Sequence, residues 1–243
     1  MRTGIISDIH SNLQAAEAVL KFMKNLSIDR YICLGDLVGY GGNPVEVVEM
    51  VRPPVEFTVM GNHDAAVAGR MDYTYYYDAA RRALDWTRNA LKREQLQYLS
   101  DLPLLKVNRD VCYVHGEPMV PGDFNYIYTI DHAEGLCPHY DDLQTVTFVG
   151  HSHLRRVYEI RPDIALEYPV ESMILDAERK YVVAVGSVGQ PRDFDTRACC
   201  VVWDDEKLAV EFYRIEYDID GAAQAILSAG LPEYFAARLY SGS

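Results

Sequence analysis

The amino-acid sequence predicts an α/β fold with two packed β-sheets and helices on their outer faces. Short β-rich segments alternate with amphipathic helical segments through the first half of the chain, and strand-like segments dominate the second half. Helices early and strands late suit two sheets packed face to face with helices outside. The length of 243 residues suits one α/β domain, so we predict a single domain over residues 1–243.

Three strands and three helices are predicted in the first half. Ser11 and Gln14 form a capping-box pattern at the start of the first helix, where apolar residues recur at helical spacing. Pro44 suits the first turn of the second helix, and Asp78 is the predicted N-cap of the third. The strands that precede these helices are placed at Thr3–Ser7, Tyr31–Leu34 and Val55–Met60.

Six further strands and a last helix are predicted in the second half. The helix covers about Ile219–Leu227, because Gly230 and Pro232 follow it as stop signals. The strands are placed at Asp110–His115, Thr145–Val149, Arg155–Ile160, Tyr181–Val185, Ala198–Trp203 and Leu208–Ile215.

Composition and charge exclude several functional classes. No stretch has the length and apolarity of a membrane span, and the first residues lack the features of a signal peptide. The formal net charge of −13 would repel extended nucleic acid, so we expect neither a membrane nor a long nucleic acid as a partner. The five cysteines are odd in number and include no C-x-x-C pair, which predicts a reducing, cytoplasmic setting.

Five of the seven histidines lie just after predicted strands, and each has Asp, Asn or Gly nearby. Functional side chains of α/β sheets gather where strands end, and glycine there lets the backbone turn sharply. We therefore expect five loops to converge on one point. Their sequences are Asp8-Ile9-His10, Gly35-Asp36, Gly61-Asn62-His63-Asp64, His115-Gly116 and Gly150-His151-Ser152-His153.

These loops offer four imidazoles, two carboxylates and one amide oxygen, with His63 left over. Mixed nitrogen and oxygen ligation suits Mn²⁺, Fe or Zn²⁺. Seven ligands are too many for one four-coordinate ion and suit two ions that share a bridge, a recurring arrangement for displacement at phosphorus. The predicted metal ligands are Asp8, His10, Asp36, Asn62, His115, His151 and His153.

This series of motifs resembles the signature of the calcineurin-like metallophosphoesterase superfamily in all five blocks, over residues 8–153. The resemblance implies a four-layer α/β/β/α sandwich of two mixed sheets, with a dinuclear metal centre at the C-terminal ends of the strands. It implies one metal held by Asp8, His10, Asp36 and His153. It also implies a second metal held by Asp36, Asn62, His115 and His151, with Asp36 as the bridge.

The loop after Asp36 departs from one branch of this superfamily. The protein Ser/Thr phosphatases carry an arginine shortly after Gly-Asp, whereas this loop reads Gly39-Tyr40-Gly41-Gly42. A phosphoprotein substrate is therefore in doubt. The closer resemblance is to small bacterial and archaeal members, some of them diadenosine-tetraphosphatase-like, and it extends to the segment 186–193.

The expected activity is two-metal hydrolysis of a small nucleotide-type phosphoester or phosphoanhydride, by in-line attack of a hydroxide that bridges the metals. His63 is expected to protonate the leaving oxygen or to stabilise the charge of the transition state, with Asp64 orienting its ring. Arg192 follows a glycine-rich turn and is a candidate phosphate clamp, with an ordinary surface salt bridge as the alternative.

Two aromatic segments, residues 73–77 and 124–128, leave two interpretations open. They could form a lid that stacks on a nucleobase, or they could pack loops onto the core.

The main alternative function for the whole protein is a catalytically silent scaffold for protein interactions. The presence of all seven predicted ligands argues against this alternative. A metal-dependent amide or ester hydrolase would usually carry H-E-x-x-H, which is absent from the sequence, and a nuclease is disfavoured by the negative charge.

Overall fold

Two mixed six-stranded sheets form the centre of the protein in a computed structural model that describes residues 1–170 and 172–243. The strands of the described part are β1 (Arg2–Ile6), β2 (Arg30–Cys33), β3 (Val55–Thr58), β4 (Leu105–Asn108), β5 (Val111–Val114), β6 (Val146–Val149), β7 (Arg155–Ile160), β8 (Ala165–Tyr168), β9 (Met173–Ile174), β10 (Lys180–Val185), β11 (Ala198–Asp204) and β12 (Ala209–Ile215).

Helices and connecting loops make up the rest of the described chain. The helices are α1 (Leu13–Met23), α2 (Pro44–Val51), α3 (Asn62–Ala68), α4 (Asp78–Ala90), α5 (Arg93–Ser100), α6 (Ile130–Glu134), α7 (Ile219–Ser228) and α8 (Glu233–Ser241), with 3₁₀ turns at Pro121–Asp123 and Cys137–Asp142. No helix among the described residues has the length and apolarity that a membrane crossing requires.

The strand order of the first sheet is β3-β2-β1-β11-β12-β9, and that of the second is β4-β5-β6-β10-β7-β8. In the first sheet, β1, β2 and β3 run parallel to one another. In the second, β5, β6 and β10 are also parallel. The remaining pairings are antiparallel, so both sheets are mixed.

The two sheets pack face to face through a buried apolar layer. Phe148 of β6 meets Trp203 of β11 with ring centroids 5.8 Å apart, and Phe57 of β3 meets Tyr113 of β5 at 5.4 Å. The outer face of the first sheet packs on α1 and α2, and that of the second packs on α6. The predicted four-layer α/β/β/α sandwich is thereby confirmed.

Every predicted strand is present, with ends that differ by at most two residues. The Ser11–Gln14 capping box is wrong. Asn12 is the N-cap of α1, and its side-chain oxygen accepts from the Ala15 amide at 3.0 Å. Ser11 has a φ of +55°, which is incompatible with the extended backbone of an N-cap.

Asp78 is the first residue of α4 and not its N-cap, a position held by Tyr77 without a side-chain bond. The Asp78 carboxylate pairs instead with Arg81 and Arg82 of the same helix. The helix at Ile219 is also not the last one. Gly230 and Pro232 do end α7, but the chain then begins α8, with Pro232 as its N-cap.

Candidate metal centre

The seven predicted ligands converge at the carboxyl ends of the parallel strands of both sheets. Asp8 and His10 follow β1, Asp36 follows β2, and Asn62 opens α3 just after β3. From the second sheet, His115 follows β5, while His151 and His153 follow β6. Parallel strands bring their carboxyl ends to one edge, and the packing of the two sheets brings the two edges together.

The backbone at this edge is conformationally unusual. Of the twelve non-glycine residues with positive φ in the described part, five are predicted ligands. Left-handed backbone is unfavourable for residues with a Cβ and persists only where the surroundings over-determine it. The fold therefore holds these side chains in orientations that an ordinary loop would not adopt. They are Asp8, His10, Asp36, His151 and His153.

Three overlapping groups of side chains could each hold a metal ion. Within each group, the metal-ligating atoms lie within 4.8 Å of one another. All members are buried. Asp36 belongs to two of the groups, and its Oδ2 lies 3.6 Å from His10 Nε2 and 3.4 Å from His115 Nε2. The groups are Asp8-His10-His153, His10-Asp36-His63 and Asp36-His115-His151.

Three of the imidazoles are oriented by backbone carbonyls. Nδ1 of His10 donates to the Val38 carbonyl at 3.2 Å, and Nδ1 of His115 donates to Leu34 at 2.7 Å. His153 Nδ1 donates to the Gln190 carbonyl at 2.5 Å. A carbonyl can only accept, so each Nδ1 carries a hydrogen, and the neutral rings of His10 and His153 present an Nε2 lone pair to the cluster.

Burial and mutual charge set the electrostatics of the cluster. Burial lowers the pKa of His10, His151 and His153 well below the usual range. Burial opposes the charge on His115 as well, but the carboxylates of Asp36 and Asp8 raise its pKa to about 9. The His115 proton thus supplies part of the charge that balances the carboxylates.

The two carboxylates respond to this environment in opposite ways. Burial raises the pKa of Asp8 to about 7. Burial opposes the ionised form of Asp36 too, but the neighbouring imidazoles, His115 foremost, hold its pKa well below its usual range. Asp8 also accepts the backbone amide of His151, at 3.2 and 3.1 Å to its two oxygens.

Asp64 does not orient the ring of His63, and this part of the predicted mechanism is wrong. Its Oδ2 accepts from the amides of Asp36 at 2.8 Å and Gly61 at 3.1 Å. Its Oδ1 accepts from the amides of Leu37 at 3.0 Å and Val38 at 3.4 Å. The carboxylate is fully occupied in tying the loop that carries Asp36 to the start of α3.

His63 lies beside the cluster, with its ring near those of His10 and Tyr40 at centroid distances of 4.8 and 4.4 Å. Its Nδ1 is buried and has no hydrogen-bond partner among the described residues. Burial lowers its pKa to about 4, so the ring is neutral. Gly39 is required next to it, because a Cβ at that position would lie 2.3 Å from His63 Nδ1.

Asn62 is held by a residue that sequence reasoning did not connect to it. Its Nδ2 donates to the Tyr76 hydroxyl at 2.7 Å, which leaves Oδ1 directed toward His115 Nε2 at 3.2 Å. Tyr76 belongs to the first aromatic segment. The only sequence signal for this contact was the run of tyrosines itself.

A cavity of about 340 Å³ opens onto the cluster. Four predicted ligands, His63 and Arg192 line it, and the two aromatic segments form its outer walls. The guanidinium of Arg192 donates to Gln190 Oε1 at 3.0 Å, and it forms no ion pair with a described carboxylate. The alternative of a surface salt bridge for Arg192 is therefore not supported within the described part.

The loop that carries Arg192 is anchored on both sheets. The Asp193 carboxylate accepts from Arg155 of β7 at 3.2 Å and from Arg214 of β12. Asp195 pairs with Arg197 at 2.7 Å. These pairs fix the loop whose Gln190 carbonyl holds His153, so Arg192 is presented to the cavity on a rigid support.

Comparison with known proteins agrees with this architecture. The family model described as calcineurin-like phosphoesterase matches residues 1–221. An uncharacterized protein of Methanocaldococcus jannaschii is 38% identical to this chain. The match covers 98% of this chain and 97% of that protein.

Two solved structures share the fold along the whole chain. A metallophosphoesterase from Sphaerobacter thermophilus is 38% identical with a TM-score of 0.85, and the match covers 100% of both chains. A hypothetical protein from Pyrococcus horikoshii is 23% identical with a TM-score of 0.82, and the match covers 100% of this chain and 98% of that one. The chain thus belongs to the calcineurin-like phosphoesterase family and is a metal-dependent phosphoesterase.

Proposed function

We propose that this phosphoesterase hydrolyses a small nucleotide-type phosphoester or phosphoanhydride, with two divalent metal ions bound in the buried cluster. The observation that carries the proposal is the position of the cluster. Buried metal-ligating atoms lie at the base of a cavity that also contains His63 and Arg192. Manganese, iron and zinc all suit the mixed nitrogen and oxygen ligands.

The orientation of two imidazoles supports a cation in the first position. His10 Nε2 and His153 Nε2 lie 3.0 Å apart, and both rings use Nδ1 to donate to backbone carbonyls. Two lone pairs facing each other at this distance repel, and a cation that both nitrogens would bind removes the repulsion. Asp8 Oδ1 lies 3.3 Å from His153 Nε2 and would add a carboxylate to this proposed metal site.

The charge balance supports cations in a second way. Asp8 and Asp36 are buried, and their ion-pair partners within the described part of the chain are histidines only. Among these histidines only His115 has a pKa raised above its usual value, so one imidazolium faces two buried carboxylates, and incompletely compensated buried charge is costly. We propose that Asp36 bridges the first position (Asp8, His10, His153) and a second one formed by Asn62, His115 and His151.

The metals, when bound, would activate the attacking water and neutralise charge on the phosphoryl oxygens. The protein's own residues supply the rest of the chemistry. His63 faces the cavity, and its imidazole, once protonated beside the anionic substrate, would donate that proton to the leaving oxygen. Arg192 would bind a non-bridging phosphate oxygen. The bound substrate is thereby oriented with its phosphate at the base of the cavity.

The cellular setting is part of the same proposal. All five cysteines are free and buried. Burial raises the pKa of the Cys112 and Cys199 thiols to about 12, which suppresses their reactivity. Free thiols favour a reducing compartment, and we propose the cytoplasm. The substrate is small, because the net charge of −13 opposes extended nucleic acids and anionic membranes.

The direct test is a metal-restoration assay. The protein is stripped with a chelator and assayed with Mn²⁺ added back, on an aryl phosphomonoester, an aryl phosphodiester and diadenosine tetraphosphate. Turnover that requires added metal is expected on at least one substrate, and the preferred one defines the reaction subclass. Metal binding without turnover on any of the three would favour the catalytically silent scaffold.

A further inference from the structure

The outer half of the active-site cavity differs chemically from its base. The base carries the metal-ligand candidates and Arg192, whereas the rim carries aromatic rings from two separate segments and one carboxylate. Tyr75 and Tyr76 come from the loop before α4, and Phe124 and Tyr126 come from the segment before α6. The two segments are about fifty residues apart in the chain, so the fold has brought them to one cavity.

The rim tyrosines present ring surface to solvent although both line the cavity. Tyr75 is 70% exposed and Tyr126 is 44% exposed. Tyrosines that only packed loops onto the core would bury their rings, as Phe124 does at 6% exposure. Exposed aromatic faces at a cavity mouth instead offer a surface on which a planar ring can stack.

The orientation of these rings is fixed by neighbours. Tyr126 stacks on His151, with centroids 3.8 Å apart and planes 13° from parallel. Tyr75 meets Tyr76 edge to face at 5.0 Å, and Tyr76 is itself bonded to Asn62. A ring held in place loses little entropy when a ligand stacks on it, so the rim is preorganised for a flat group.

Asp123 makes the rim of the cavity chemically different from its base. It lines the same cavity and forms no ion pair with any residue of the described ranges. A carboxylate repels phosphate, so this part of the rim does not suit the phosphoryl group. It can accept hydrogen bonds from sugar hydroxyls or from an exocyclic amino group. The phosphate end and the organic end of a substrate therefore have separate places.

From these observations we infer that the rim is a nucleoside-binding subsite, in which a nucleobase stacks on Tyr75 and Tyr126 and its sugar or amino groups reach Asp123. This inference rests on the proposed function, because it assumes that the phosphate lies at the metal-ligand cluster. The cavity volume of about 340 Å³ is at the small end of ligand sites and suits one nucleotide unit.

Two competitors that differ only by the base provide the test. AMP and ribose 5-phosphate are measured as inhibitors of Mn²⁺-dependent hydrolysis of whichever aryl phosphate the enzyme turns over. AMP should bind about tenfold more tightly or better, since stacking on one aromatic ring supplies an effect of that order. The Tyr75→Ala variant should lose most of this preference, while the inhibition constant of ribose 5-phosphate stays unchanged.

Two further variants make the result interpretable. Tyr75→Phe keeps an aromatic face and should keep the preference for AMP. Tyr234→Ala removes a tyrosine that is 54% exposed but lies outside the cavity lining, so it should also keep the preference. Equal inhibition by AMP and ribose 5-phosphate in an active wild-type enzyme would overturn the subsite alone. Absence of metal-dependent turnover would instead overturn the proposed function.

Discussion

The Tyr76 hydroxyl accepts a 2.7 Å hydrogen bond from the side-chain amide of Asn62, a predicted metal ligand. This bond decides which end of the amide faces the cluster, because it uses Nδ2 and leaves Oδ1 beside His115. It also ties the cavity wall to the proposed metal site. The position of Tyr76 is therefore relevant to metal affinity and not only to the shape of the cavity.

Replacement of Tyr76 by phenylalanine should weaken metal binding about tenfold, because outer partners of metal ligands typically contribute 10- to 100-fold in affinity. Competition with a chromogenic chelator measures the effect. Tyr75→Phe is the matched control, since the Tyr75 hydroxyl makes no hydrogen bond within the described residues. Equal metal affinity in both variants would show that Tyr76 does not position Asn62.

The His63→Gln variant should keep its metals and lose about 10²- to 10⁴-fold in kcat, which is the usual contribution of a general acid. The ring lies in the cavity wall, where it can reach a bound substrate. Metal content and kcat are measured on the same preparation. Near-full turnover would remove His63 from the mechanism.

Asp64→Ala should destabilise the protein by about 3 kcal/mol or more, because unsatisfied buried donors cost about 1–3 kcal/mol each. Four backbone amides would lose their acceptor. Urea denaturation of the metal-free protein measures the change, and Asp64→Asn, which keeps one acceptor oxygen, should lose less. Unchanged stability together with a large loss of kcat would restore the catalytic role that the sequence suggested.

Arg192→Met should raise KM for a phosphate ester about tenfold or more, since charge-assisted hydrogen bonds contribute about 1.5–3 kcal/mol. Metal content should not change. Arg197→Met on the same loop is the control, because Arg197 pairs with Asp195 and does not line the cavity. If both variants keep the wild-type KM, Arg192 is not a phosphate ligand.

Glu159, a buried carboxylate of β7, should contribute to the loss of folding stability at acid pH. Burial opposes its charge, but hydrogen bonds from Arg161, Arg179 and Tyr168 hold its pKa below the ordinary 4.5. A carboxyl group with a depressed folded-state pKa stabilises the fold fully above its unfolded pKa. That stabilisation is lost as the pH falls through the folded-state pKa.

The free energy of unfolding should therefore fall more steeply below pH 4.5 in the wild type than in Glu159→Gln, which cannot titrate at this position. Urea titrations at several pH values between neutral and strongly acid conditions compare the two proteins. Parallel pH profiles would mean that Glu159 contributes nothing to acid sensitivity.

Strand positions and the convergence of the loops could be predicted because both depend on local pattern. A short apolar run followed by Asp-x-His or Gly-Asp identifies a strand end, and parallel strands then place those ends together. The single domain over residues 1–243 and the role of each ligand stay predictions.

The wrong predictions have a common physical cause. Ser11 could not be excluded as an N-cap, because its positive φ is a property of the folded backbone that the sequence does not show. Asp64 follows His63 in the chain, yet its carboxylate points to amides 26 to 28 residues away. The bond between Asn62 and Tyr76 likewise depends on where a loop lies in space, which sequence spacing does not encode.

The most direct test of the central claim is the number of metal ions bound per chain, measured by elemental analysis in the wild type and in Asp36→Asn. Asp36 Oδ2 lies between His10 Nε2 and His115 Nε2, so a bridging role predicts two ions in the wild type. The variant should bind fewer ions and lose metal-dependent turnover. A wild-type protein that is active with one ion, or a variant that keeps two ions and full activity, would contradict the account.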